Sequence, residues 1–417
     1  MNTYLSRFYA FLQYFGSTLF VSILQVLINP LIALNLSPND YAIIGYYTSF
    51  NILFTPLITF FLTNYFIKCF FQVDNDKRKK IKATIMQMLI YGSFILSVLS
   101  LIVIFVYQSY FNEKSDIPFS PYAFLTIISI FLTGVYSLKL AEFRLERKAN
   151  QFALYTIVAG LISVALVLII VVYLKEGAVG RLWATLLGNL VMFLLVIFKE
   201  RSCFKVKIEK SIFIDIVNFC WPLTIAGMLG FFSSGYDRVL LERAGDYHEL
   251  GFYSVGVQIA AYLTIFSNAV NSTFQPDLYE CYAKKNFKRL FFFILIIVGS
   301  ISVIVLSFIA VAPWVVDLLT AGRYTDAALF ARILALSSIT AALYYSTSQI
   351  TIAMGYSKML LAVRAIGSLL SIVAFYYLIE YFGAIGAAYG NVASYLIFLV
   401  INVAFLLIFK KKQLIKK

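Results

Sequence analysis

A chain of 417 residues that is 61% hydrophobic and 13% charged is greasier than a soluble domain, where about half the residues are apolar and about a quarter charged. Apolar runs recur along its whole length at the roughly 20 residues that a helix needs to cross a bilayer, and the alternation of a membrane barrel is absent. The net charge of +14 invites a nucleic-acid partner, but the lysines and arginines sit in the loops between apolar runs, where they set membrane orientation, so no nucleic-acid binding is expected.

Apolar runs bounded by charge and turn residues predict twelve crossings. In the first half they span 8–35, 41–66, 84–108, 122–142, 152–174 and 179–198; in the second, 213–243, 248–275, 289–312, 328–352, 359–379 and 385–409. The N-terminus, the loops after even-numbered crossings and the C-terminal tail hold 27 of the 34 Lys and Arg, among them "KRKK" at 77–80 and "KKK" at 410–412. The other side holds seven: Lys114, Lys175, Arg181, Arg238, Arg243, Arg323 and Arg332. Both termini are therefore expected in the cytoplasm. Cys69, Cys203, Cys220 and Cys281 all fall near that side, in no zinc or redox spacing, and read as reduced thiols. The first crossing carries Gln13, Gln25, Asn29 and Pro30 and belongs to the bundle rather than to a cleaved signal peptide.

The chain repeats itself. "DYAIIGYYT" from Asp40 and "DYHELGFYS" from Asp246 are 206 residues apart, and "GAVG" from Gly177 and "GAIG" from Gly383 share that offset. Six is an even number of crossings, so the fold expected is all-α, two parallel six-helix bundles over 1–205 and 206–417. In such parallel repeats the site tends to lie between the halves near the midplane, which points to a transporter. The repeated words read as structural: Asp246 with Glu249, and Ser37, Pro38 and Asp40, suit helix starts, and the glycines allow a tight helical turn.

Ionisable groups at membrane depth are costly and mark candidate sites. Asp237 and Arg238 end the seventh crossing; with a bend at Pro222 they lie in the outer half of the membrane, and Arg238 is spaced to pair with Glu242. The matching turn of the first crossing, Leu31–Ile32, has no charge. Arg332, Arg364 and Lys139, which ends the fourth crossing, either snorkel to the surface or face the interior and line a cavity with positive charge. Gln25, Asn29, Gln258, Asn268, Asn271, Gln349, Asn391 and Asn402 thread the bundle; most hydrogen-bond between helices, and Gln25, Gln258 and Asn271 are the ones assigned to a cavity. His248 is the sole histidine and starts a helix. There is no phosphate-binding loop, no metal-ligand spacing and no catalytic constellation.

"PLTIAGMLGFFSSGYDRVLL" followed by "LGFYSVGVQIA", then "PWVVDLLTAGRYTDAALFARILALSS" and "FGAIGAAYGNVASY", with "SPNDYAIIGYYTSF" in the first half, resembles bacterial polysaccharide flippases of the Wzx type. These belong to the multidrug/oligosaccharidyl-lipid/polysaccharide (MOP) exporter superfamily. The resemblance implies a flippase that moves undecaprenyl-diphosphate-linked oligosaccharide, an O-antigen or related repeat unit, across the bacterial inner membrane by alternating access. It also suggests a polysaccharide polymerase and a chain-length regulator as partners, besides membrane lipids. Arginine suits a diphosphate through bidentate bonds. No cofactor is implied, and H+ coupling, Na+ coupling and passive scrambling all fit the sequence. The rivals are a multidrug exporter of the same superfamily, which calls for deep carboxylates where Asp237 stands beside an arginine, and a membrane-embedded polysaccharide polymerase or acyltransferase.

Overall fold

The computed structural model describes residues 2–111, 116–354 and 357–415. Lys114 lies outside them, and so do the side chains of Asn268 and Lys410–Lys412. The described residues are helical and contain no strand. Eleven helices are long and apolar enough to cross a membrane. The last of them is a hairpin, which makes twelve crossings.

The chain forms two compact units, residues 1–228 and 229–417. The first holds α1 (Asn2–Asn35), α2 (Pro38–Thr59), α3 (Leu62–Cys69), α4 (Asn75–Gln87), α5 (Ser93–Val106), α6 (Tyr122–Leu145), α7 (Ala149–Val167), α8 (Gly177–Lys199) and α9 (Lys210–Met228). A π-helical turn, Met88–Gly92, joins α4 to α5 in one crossing. The segment 206–228 packs with this unit: Ile212, Ile216 and Cys220 share a core with Ile81, Ile85 and Leu89.

The second unit holds α10 (Phe231–Ser234), α11 (Tyr236–Ala244), α12 (Tyr247–Ala283), α13 (Phe287–Thr320), α14 (Ala327–Ala353) and α15 (Ser357–Ile415). At its centre α14 packs against α12, α13 and α15. The most buried windows of the chain, 61% in each case, belong to α6 and α14, the fourth crossing of each repeat. α14 earns that position with "ILALSSITAALYYSTS": Ala and Ser let neighbouring backbones approach closely where bulky side chains would hold them apart.

The repeated words meet within each unit. Ser37 caps α2 and forms a capping box with Asp40, whose Oδ2 accepts the Ser37 amide at 2.8 Å; its Oδ1 accepts the amide of Ala178 at 2.8 Å, in "GAVG". In the second unit Asp246 Oδ1 accepts the Glu249 amide at 2.8 Å, and a Cβ on Gly383 of "GAIG" would lie 3.6 Å from Glu249 Oε2. Gly177 and Gly383 have φ of 55° and 57°, a region glycine occupies freely. Three residues on, Gly180 and Gly386 face the preceding helix, where a Cβ on Gly386 would stand 1.9 Å from the Leu378 carbonyl oxygen. The contact of Gly390 with Phe375 and of Gly367 with Phe398 shows that α15 folds back on itself at Gly383.

Candidate functional site

The seventh crossing is interrupted beyond the position that the sequence suggested for a bend. α9 runs through Pro222 to Met228, and the helix breaks at Leu229–Gly230 and again at Gly235. The departure from helical backbone lies at Gly235, with φ −140° and ψ −28°. Asp237 and Arg238 therefore sit in the first turn of a new helix, α11, whose positive end favours the carboxylate.

Asp237 is 1% exposed, and three side chains close around it. The hydroxyl of Tyr253, on α12, donates to Asp237 Oδ2. The Nδ2 of Asn391, on α15, donates to the same oxygen at 2.7 Å and to the Tyr253 oxygen at 3.0 Å. Oδ1 accepts the Arg238 amide at 2.8 Å. The Arg238 guanidinium, 6% exposed, lies with Nε 3.7 Å from Asp237 Oδ1 and donates to the Ser234 carbonyl at 3.1 Å. A buried ion is tolerable only with such a partner and several donors. The knot ties three elements of one unit together and places a guanidinium among them. Beside it, a cavity of about 340 Å³ is lined by Tyr236, Arg243, Tyr376 and Glu380. Tyr247 donates to Glu242 at 3.4 Å, and Glu242 is buried as well.

The other expected site residues stand apart from this knot. Arg332 is half-buried, and its Nε donates to the Ile309 carbonyl on α13 at 3.1 Å. Arg364 is half-buried beside the hydroxyls of Tyr344 and Tyr395. Gln258 is half-buried on α12, and Asn271 turns its amide to the Ser267 carbonyl of its own helix at 2.8 Å. Gln25 belongs to the first unit, on an exposed position of α1. Among the remaining polar residues, Gln275 donates to Gln349 at 3.0 Å and Thr351 to Asn402 at 3.0 Å, as interhelical bonds.

Tyr253 escaped notice in the sequence, although the signal was in the repeat. It matches Tyr47 at the offset of 206, and both are wholly buried. Tyr47 spends its hydroxyl on the Pro118 carbonyl at 2.7 Å; Tyr253 turns the same position toward a carboxylate.

A second charged cluster also went unread. Lys139 does not snorkel; it is 8% exposed. Its ammonium bonds Glu142 at 2.6 Å and Glu200, while Lys82 bonds Glu142 at 2.5 Å and Glu200 at 2.7 Å. Two lysines and two glutamates thus alternate in a closed ring on α4, α6 and the end of α8. Asp237 is accordingly one of several interior acids, with Glu142, Glu200 and Glu242. All four cysteines are buried free thiols. Among the described residues no group of three His, Cys, Asp or Glu is arranged to hold a metal ion.

Known proteins bear out the fold. A multidrug resistance MATE family transporter of the MOP superfamily, in an inward-facing conformation, superimposes with a TM-score of 0.71 at 16% identity, over 94% of this chain and 96% of its own. The lipid II flippase MurJ, inward closed, gives 0.72 at 15% identity over 94% and 87%. The Lsg locus putative protein 1 of Haemophilus influenzae is 25% identical over 171 residues, 39% of this chain. The match spans about two fifths of the length of that relative, 42%. The family model described as polysaccharide biosynthesis protein matches residues 31–329. This multi-pass membrane chain, with the fold of MOP-superfamily transporters, belongs to the polysaccharide biosynthesis protein family.

Proposed function

We propose that the protein is a flippase, not an enzyme, which moves an undecaprenyl-diphosphate-linked oligosaccharide across the bacterial inner membrane by alternating access, with both termini in the cytoplasm. The observation that carries this reading is the polysaccharide-biosynthesis family match on a fold shared with a flippase of another lipid-linked saccharide. The chemistry is consistent with it. The cargo's lipid tail never leaves the hydrocarbon, so the protein has to shelter only a diphosphate and sugars. A guanidinium suits the first, and amides and tyrosines suit the second. In this proposal Arg238 contacts the diphosphate, held in place by Asp237, Tyr253 and Asn391. Arg332, Arg364, Gln258, Asn271 and Gln25 are the remaining cargo contacts. No cofactor takes part.

Deleting the gene and weighing the lipid-linked oligosaccharides tests the reading. Complete units accumulating on the cytoplasmic leaflet support it. Truncated units mark an enzyme of assembly instead, and a normal pool with impaired drug efflux marks an exporter of the multidrug kind.

A further inference from the structure

We propose that a groove in the first unit seats the isoprenoid chain of a polyprenyl diphosphate lipid; its identity as cargo rests on the flippase reading above. The groove is a cavity of about 250 Å³ whose walls include Phe60, Met88, Tyr91, Gly92, Ile208 and Phe213. An apolar cavity of roughly 150 Å³ takes up benzene; on that scale this one has room for roughly ten carbons, or two isoprene units.

Its walls are made by departures from regular helix. α2 stops at Thr59 because Phe60 and Phe61 both adopt a left-handed backbone, each with φ 49°. That conformation costs a bulky residue on the order of 1–3 kcal/mol, and such strain clusters at ligand clamps. Facing it, Met88–Gly92 is a π-helical turn, a device frequent at functional sites. A Cβ on Gly92 would meet nothing within 4 Å, so the space reaches the backbone itself. Two polar side chains of the wall, Ser93 and Gln87, are bonded within the fold. Ser93 Oγ donates to the Ile58 carbonyl at 2.6 Å, and Gln87 Nε2 donates to the carbonyls of Cys203 and Val206 at 3.0 and 2.8 Å. What remains is a dry surface for hydrocarbon.

Charge decides which hydrocarbon. Ile208 stands in "KVKIEK", where Lys205, Lys207 and Lys210 are exposed and the single acid, Glu209, is engaged by Lys80 at 2.5 Å. A lysine cluster beside an apolar slot suits a lipid with an anionic head. A polyprenyl diphosphate combines such a head with a single isoprenoid chain.

The test uses full-length protein in nanodiscs and a polyprenyl diphosphate carrying a benzophenone on its second isoprene unit. Photolabelling is expected on the peptides around 87–96 and 208–217. Gly92→Phe, which places a ring in open space, is expected to lower it about tenfold, and Gly92→Ala to leave it. In the unmutated protein, unlabelled undecaprenyl diphosphate is expected to compete and dioleoylphosphatidylglycerol is not. Labelling that is unaffected by Gly92→Phe, or equal competition by the phospholipid, overturns the proposal. Leaflet exchange of lipid-linked oligosaccharide by the unmutated protein is measured alongside. Its absence with labelling intact defeats the flippase reading and leaves the groove; its presence with labelling elsewhere defeats only the groove.

Discussion

The carboxylate of Asp40 accepts the amide of Ala178 at 2.8 Å, joining the start of α2 to the start of α8 across 138 positions of sequence. The same side chain closes the capping box with Ser37. One residue thus serves two helix starts, each with unpaired N–H groups that need an acceptor.

Replacing Asp40 with Ala is expected to destabilise the first unit by about 1–2 kcal/mol, the value of a lost cap. Asp40→Asn keeps an acceptor and is expected to recover about half. Thermal unfolding in detergent reads the order: unmutated, then Asn, then Ala.

Gly383 tolerates no side chain. Its φ of 57° with ψ of −136° lies close to a region that is essentially glycine's alone, and a Cβ there costs about 1–3 kcal/mol. Gly383→Ala is expected to lower the yield of monodisperse protein in size-exclusion chromatography, whereas Gly245→Ala, at a φ of 84° with open space around it, costs less. Equal losses would show that the hairpin turn has no special demand.

Arg238→Ala is expected to abolish surface polysaccharide with a smaller loss of protein than Asp237→Ala, because Tyr253 and Asn391 still donate to the Asp237 carboxylate, and Arg238→Lys to restore export only partly, since an ammonium lacks the planar fork. Asp237→Ala strands the guanidinium in the interior, at a cost of about 3–5 kcal/mol, and is expected to lower abundance itself. Immunoblots beside polysaccharide gels separate the two outcomes. Normal export by Arg238→Ala at native abundance removes Arg238 from the site.

The lysine–glutamate ring makes stability depend on acid. Burial alone would raise the Glu200 carboxyl, but hydrogen bonds from Lys139 and Lys82 outweigh it and hold the group below its ordinary 4.5. A folded-state value below the unfolded one adds stability that is fully present above pH 4.5 and is lost as the pH falls through the folded value. Glu200→Gln is expected to flatten the acid limb of the unfolding midpoint against pH. An unchanged limb would show that the ring contributes nothing there.

Burial pushes the Cys203 thiol up to about 11, so thiolate, the reactive form, is scarce near neutrality. At pH 8 maleimide is expected to modify Cys203 slowly in the folded protein and quickly after denaturation. A cysteine introduced at exposed Lys207, by Lys207→Cys, provides the fast reference.

Twelve crossings, the repeat and both helix starts were legible because each rests on local chemistry: runs of apolar residues, an acid three positions after a cap, glycine at a turn. What was hidden depends on distance. Nothing local in "FTPLITFFLTNYF" distinguishes a straight helix from one broken at Phe60, because the Ile58 carbonyl beside the break is bonded by Ser93, 35 positions from it. Lys139 looked like a surface lysine because Glu200 and Lys82, far off in sequence, complete its ring. In the seventh crossing proline was the visible signal, whereas the helix is interrupted beyond it, at Leu229–Gly230 and Gly235. Of the site, Asp237 and Arg238 announced themselves by charge in an apolar run, whereas Tyr253 is one of 29 tyrosines, marked only by its place in the repeat.

The turn at Gly383 bears on how the protein is made. With the Leu378 carbonyl pressed against Gly386 and Phe375 against Gly390, the two arms of α15 are complementary to each other, independently of the helices made before them. A chain leaving the ribosome therefore delivers its last two crossings to the bilayer as a ready-paired element. Interrupting synthesis between them strands a helix whose partner-facing aromatic has only lipid to meet.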